Sequence, residues 1–214
     1  MYLRVYAQRS GYHDYRNLEI CSADSGPPDD LCKAGSSGRQ RIRIRVADGS
    51  RSGEAVRPET LDALRQAWEG ELFGEALMRE LTWRLADAAA HSAELDAIAR
   101  LERRMARALA RLPGVAQEGS AARAAIQARA TASRLTTWEA FLAASRPSLS
   151  LALERFRAIA LPEAGQERAV LDLLVRHEIA LIQFLEQSAA GCPPERNPAL
   201  EQIGCDLMRF LDRG

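Results

Sequence analysis

From Pro58 to its end the chain repeats apolar residues at alternating steps of three and four, the spacing that lines one face of an α-helix. Breaks in the pattern fall at proline and glycine, so the helices can be bounded from sequence. The first is expected over about Pro58–Ala90, with proline in a first turn where its missing N–H costs nothing. The second runs from Ser92, a suitable N-cap, to Leu112, and Pro113-Gly114 stop it. A third spans about Ser120–Ala144 and is interrupted at Ser145-Arg146-Pro147, with a shorter piece over Ser148–Ile159. A fourth follows Leu161-Pro162 and ends at Gly191. The last starts at Asn197-Pro198 and carries Leu200, Ile203, Leu207 and Leu211 on one side. Long helices with short connections predict an all-α, antiparallel four-helix bundle over 57–214, with an extra C-terminal helix.

The texture before that stretch is different. Residues 1–56 hold the Gly, Ser, Pro and Asp clusters and two short alternating runs, Met1–Ala7 and Arg41–Val46. They read as a short, irregular or β N-terminal extension, loosely ordered against the bundle. Arg41, Arg43 and Arg45 share one side of a strand. That side suits a phosphate-docking ribbon, an edge strand blunted by charge, or an extension with no partner. A translation start assigned too early would also account for it.

Charge narrows the function classes. Lys+Arg and Asp+Glu are 29 each, so no net charge favours nucleic acid, an acidic substrate or an anionic membrane. No apolar run reaches the length of a membrane span, and the N-terminus lacks the apolar core of a secretory signal. A cytoplasmic protein is expected, without nucleic-acid or membrane partners, with a homodimer through helix faces as a candidate assembly. Lys33 is the only lysine, so clustered arginines reflect composition before they reflect a site. Cys21, Cys32, Cys192 and Cys205 show neither C-x-x-C spacing nor a matching histidine pair, which disfavours a zinc site or a disulfide framework.

The informative residues are carboxylates on the apolar faces. In the second helix Leu95, Ile98, Leu101, Met105, Leu109 and Leu112 form the apolar arc, and Glu102 lies inside it. In the fourth, Glu178 falls amid Leu171, Leu174, Leu181, Ile182 and Leu185, with His177 at the edge of the stripe. In the first, Glu71 and Glu75 complete a seam of Leu61, Leu64, Trp68, Met78, Thr82 and Leu85. Glu69 and Glu80 point elsewhere. Trp68 and Trp138 sit in apolar seams and are expected in the core. A carboxylate buried without a partner costs several kcal/mol, so such groups must meet arginine, share protons, reach water or bind a cation. Facing helices that supply inward glutamates are also how bundles build metal sites.

At these residues the chain resembles the ferritin-like superfamily, of the rubrerythrin type. Phe73-Gly74-Glu75-Ala76, or alternatively Gly70-Glu71, resembles the Gly-Glu pair of that family's first helix. Ile98-Ala99-Arg100-Leu101-Glu102 followed by Arg103-Arg104-Met105 resembles its Ile-Ala-x-x-Glu-x-x-His motif, with Met105 at the histidine position. Glu178-Ile179-Ala180-Leu181 matches the glutamate of the second such motif, with Leu181 for histidine. The resemblance covers about residues 58–190 and implies a pair of iron or manganese ions held by carboxylates and histidines. Neither Met105 nor Leu181 can replace imidazole for those metals. His177 is the remaining nitrogen candidate, and Glu139 or Glu154 the third-helix carboxylate.

Two readings follow. One is a carboxylate-bridged dinuclear iron or manganese oxidase or hydroxylase using Glu71, Glu75, Glu102, Glu178 and His177. The other is a metal-free helical bundle acting as a binding or scaffold protein, its glutamates satisfied by arginine and water. Nucleophilic catalysis is not indicated, since no G-x-S-x-G, no cysteine beside a histidine and no phosphate-cradling glycine loop occurs.

Overall fold

The computed structural model describes residues 57–160, 164–191 and 198–213, which hold six α-helices and no strand. They are α1 (Pro58–Arg84), α2 (Ser92–Leu109), α3 (Ser120–Ala132), α4 (Trp138–Arg157), α5 (Gln166–Ala189) and α6 (Pro198–Asp212), with a 3₁₀ turn at Ala88–His91. These helices lie in a compact unit, Ala55–Gly214. The extension expected at 1–56, with its two strand-like runs, lies outside the described residues. No helix among the described residues is long and apolar enough to cross a membrane.

Local chemistry sets the ends. Pro58 opens α1, and the chain turns extended at Leu85 after Leu85 N–H bonds the Leu81 carbonyl. The α1–α2 connection is tied to the α3–α4 connection by Ala86 N–H, which donates to the Thr136 carbonyl. Gly119 precedes α3 with a φ of 78°, a left-handed conformation that glycine adopts freely. Gly191 likewise follows α5 with a φ of 73°.

The third helix expected over 120–144 is two helices, and its break is not at Pro147. The chain leaves helix at Ser133–Thr137 and re-enters at Trp138. Two side chains satisfy the new amino terminus. Thr137 Oγ1 accepts from Ala140 N–H at 3.2 Å, and the Asp87 carboxylate accepts from Trp138 N–H at 3.1 and 3.2 Å. Pro147 then sits inside α4, on an exposed side where Ala143 is exposed too. The Ala143 carbonyl, deprived of its i+4 donor, can turn to water there.

α1 lies against α2 and α3, α5 against α4 and α6, and α2 touches α5 and α6. Along α1, Glu69 meets Ser120 and Arg123 at the start of α3, while Glu80 meets Arg129 near its end. Arg111 holds the end of α6 by donating to the Phe210 and Leu211 carbonyls. Both expected core tryptophans are buried: Trp68 packs with Leu64, Met105 and Leu174, and Trp138 with Leu95, Phe141 and Phe184. Trp138 also donates Nε1–H to Ser188 Oγ at 2.9 Å and stacks on His91 with ring centres 4.5 Å apart.

The core is divided. One apolar cluster contains Leu64, Trp68, Leu101, Met105, Leu109, Leu171 and Leu174, and the other Leu77, Met78, Leu81, Leu95, Ile98, Leu181 and Phe184. Each of α1, α2 and α5 contributes to both, so a layer on each helix lies between them.

Because α4 tolerates Pro147 rather than ending at it, Pro147→Ala should restore a helical hydrogen bond and stabilise the protein by roughly 1–3 kcal/mol. A melting temperature unchanged or lowered by the substitution would show that the helix does not run through this position.

Candidate metal centre

The layer between the clusters is polar. Glu71 on α1 follows Leu64, Ala67 and Trp68 of one cluster and precedes Leu77 and Met78 of the other. Glu102 on α2 lies between Ile98 and Met105, and Glu178 on α5 between Leu174 and Leu181. His177 is the fourth member. All four are buried, at 3%, 8%, 5% and 1% exposure for Glu71, Glu102, Glu178 and His177.

Their polar atoms converge with little to bond. His177 Nε2 lies 3.6 Å from Glu71 Oε2 and 3.6 Å from Glu102 Oε1, near enough for charge attraction and too far for a good hydrogen bond. One ligand atom each from Glu71, His177 and Glu178 fall within 4.8 Å of one another. Glu71 Oε2, Glu178 Oε2 and both ring nitrogens of His177 are buried without a hydrogen-bond partner. Among the described residues no arginine comes within ion-pair distance of Glu71, Glu102 or Glu178.

Charge balance governs the protons. Burial, then the charges of Glu102 and Glu178, push the Glu71 carboxyl well above its ordinary value. Burial pushes Glu178 up to about 8, with His177 opposing and Glu102 adding to the rise. Burial alone would lower the His177 pKa, but the neighbouring Glu102 and Glu178 outweigh it and hold the pKa above its usual value. An imidazolium can balance one carboxylate, whereas three surround it. The remainder of the charge must be met by protons or by a cation.

Glu75, an expected ligand, is placed elsewhere. Its Oε1 lies 2.7 Å from Arg79 Nη2 and 2.7 Å from Arg103 Nε, at the half-exposed edge of the α1–α2 contact. The buried stripe of α1 runs through Leu64, Trp68, Glu71, Met78, Leu81 and Leu85. It therefore passes through position 74, not 75, and Leu81 replaces the expected Thr82. Gly74 carries no side chain to mark the stripe. The space beside it is filled from α2, for a Cβ added at Gly74 would lie 2.4 Å from Glu102 Oε2.

The other expected contributors stay away. Glu139 and Glu154, candidates for a third-helix carboxylate, are both exposed. Met105 and Leu181, at the motif's histidine positions, are buried members of the two apolar clusters. His91 belongs to a separate group, with Nδ1 3.5 Å from Glu94 Oε1 and its ring on Trp138. No protein-family model, curated protein or solved structure matches the chain.

Raised pKa values mean that the folded protein holds protons which the unfolded chain would release. For Glu71 and Glu178 the stability so linked is greatest in acid. It falls as pH rises from the ordinary glutamate value of about 4.3 through the raised folded values. His177 acts in the same sense, its contribution being present below its unfolded pKa and lost as pH rises through the folded one. Glu80 and Asp206, held low chiefly by Arg84 and Arg176, act oppositely and only in acid, where their stability is lost. Metal-free protein should therefore melt roughly 5–10 °C lower at about pH 8.5 than at about pH 5.5. Glu71→Gln should flatten that slope; a slope equally steep in the variant would remove the assignment.

Proposed function

We propose that the chain is a ferritin-like helical metalloprotein whose buried Glu71, Glu102, His177 and Glu178 hold iron or manganese. The observation that carries this reading is the meeting of Glu71, His177 and Glu178 within 4.8 Å, with unpartnered donor atoms and no arginine among the described residues to neutralise them. Three carboxylates and one imidazole are a mostly hard donor set, suited to first-row divalent ions such as manganese and iron(II). In this reading α1, α2 and α5 form the bundle core, and the α3–α4 stretch supplies the remaining member without adding a ligand.

Four side chains suffice for one ion, and a second would have to share their carboxylates. The oxidase or hydroxylase reading requires two ions per chain. Redox-active metal so bound would supply chemistry toward dioxygen or peroxide, and the apolar clusters above and below would keep bulk water from the layer. This chain's own part is to present deprotonated donors. Binding must displace the protons that burial favours on Glu71 and Glu178, so affinity should rise with pH where the metal-free fold weakens.

Metal analysis after reconstitution tests the proposal. Purified protein should retain iron or manganese, one or two ions per chain, and melt higher with metal than without. Glu71→Gln should reduce metal affinity at least about tenfold, because the amide keeps the shape and loses the charge. The same change should leave the metal-free fold as stable or more stable near pH 8, since it removes a carboxyl whose burial disfavours ionisation. Wild-type protein that remains empty with iron, manganese and zinc would leave the metal-free scaffold reading in its place.

A further inference from the structure

The α1–α2 crossing contains a second arrangement that bears on this site. Gly74 occupies the α1 stripe position where a core side chain is expected, yet Glu102 of α2 fills the vacancy with its carboxylate. A Cβ at Gly74 would lie 2.4 Å from Oε2, 2.6 Å from Cδ and 3.1 Å from Oε1 of Glu102, closer than real contacts allow. One residue further along each helix, Glu75 and Arg103 are joined at 2.7 Å, with Arg79 on the same carboxylate oxygen. The crossing thus has a void-making residue beside an ion pair. Glu102 enters between them and reaches His177 Nε2 at 3.6 Å.

We infer that Gly74 is a positioning residue: by lacking a side chain it gives the Glu102 carboxylate its seat against α1, while Glu75–Arg103 fixes the helix crossing that the seat requires. The cost of a mid-helix glycine supports the inference. Gly74 lies well inside a 27-residue helix, where alanine would ordinarily be favoured. Glycine is retained at a point where the nearest neighbour is a buried carboxylate rather than backbone. Added bulk at 74 would displace the side-chain tip of Glu102 and leave the helices where they are. The inference rests on the metal reading only for its consequence on affinity, not for the seat itself.

A double-mutant cycle with Gly74→Ala and Glu102→Ala tests it, read on the melting temperature of metal-free protein and on manganese affinity. In the Glu102→Ala background the glycine replacement should raise the melting temperature by roughly 2–4 °C, the gain expected of alanine in a helix. With Glu102 present that gain should vanish or reverse. Equal shifts in the two backgrounds would overturn the inference. If the single variant fails to fold, folding of the double variant supports the inference, and failure of both overturns it. Gly74→Ala alone should weaken manganese binding at least about tenfold relative to wild type; unchanged affinity also overturns the positioning role. If wild-type protein binds no manganese, the metal reading fails, and the thermal cycle still decides whether Gly74 seats Glu102.

Discussion

Three carboxylates and an imidazole buried in one layer set the terms for the rest of the structure. Removing a single unpaired carboxylate from water costs several kcal/mol, comparable to or greater than the roughly 1.5–3 kcal/mol that burial of one leucine returns. Glu71, Glu102 and Glu178 come from three helices, and no arginine among the described residues reaches them. The layer is held together by the apolar clusters on either side, which include fully buried Leu64, Met105 and Leu174 on one side and Leu81 and Leu95 on the other. Those clusters fix the helix positions, and the carboxylates follow because their backbone positions lie between the clusters. Proximity is imposed on the charges by packing, as expected where polar groups are kept for a purpose other than stability.

The contrast with Glu75 makes the point locally. Glu71 and Glu75 are one turn apart on α1, and both looked like seam residues. A helical seam is legible only through residues that show hydrophobicity, and Gly74 shows none. With position 74 unreadable, the 3-4 alternation runs on in sequence through Glu75 and Thr82, while the helix buries Glu71, Met78 and Leu81. That rotation carries Glu75 to the rim, where Arg79 and Arg103 neutralise it. Arginines on the outer face of α2, discounted as composition, thus include one that ties α2 to α1 beside Glu102.

Periodicity made most helix faces legible, because leucine, isoleucine and methionine report burial directly. Glu102, Glu178 and His177 could be placed beforehand by their distance along the helix from such residues. Local start and stop chemistry was harder to weigh. In sequence Pro147 reads as a break, but an exposed proline can be carried when the freed carbonyl faces water. The true break at 133–137 depends on Asp87, fifty-one residues before the Trp138 amide it accepts from. No sequence window around Thr137 contains that partner. Convergence of the donors is likewise beyond helical periodicity, which gives the face of each helix and not the height at which two helices cross.

The donor set itself argues about what can occupy the layer. With all three carboxylates ionised and His177 protonated, two negative charges remain uncompensated; with His177 neutral, three remain. Protons can close the gap, and the upward displacement of Glu71 and Glu178 shows that the protein favours this in the absence of another cation. Protonation, however, turns an acceptor into a donor, and Glu71 Oε2, Glu178 Oε2 and both histidine nitrogens have no hydrogen-bond partner as they are placed. In the proposed reading a divalent cation would offset two of the three negative charges and take up the unpartnered lone pairs as well, including one on imidazole that a proton would consume. In the reading proposed above, protons and metal would compete for the same atoms, with pH setting the balance between them. Position 181 is given to leucine and closes the second apolar cluster, while His177 approaches Glu71 and Glu102 from within the layer.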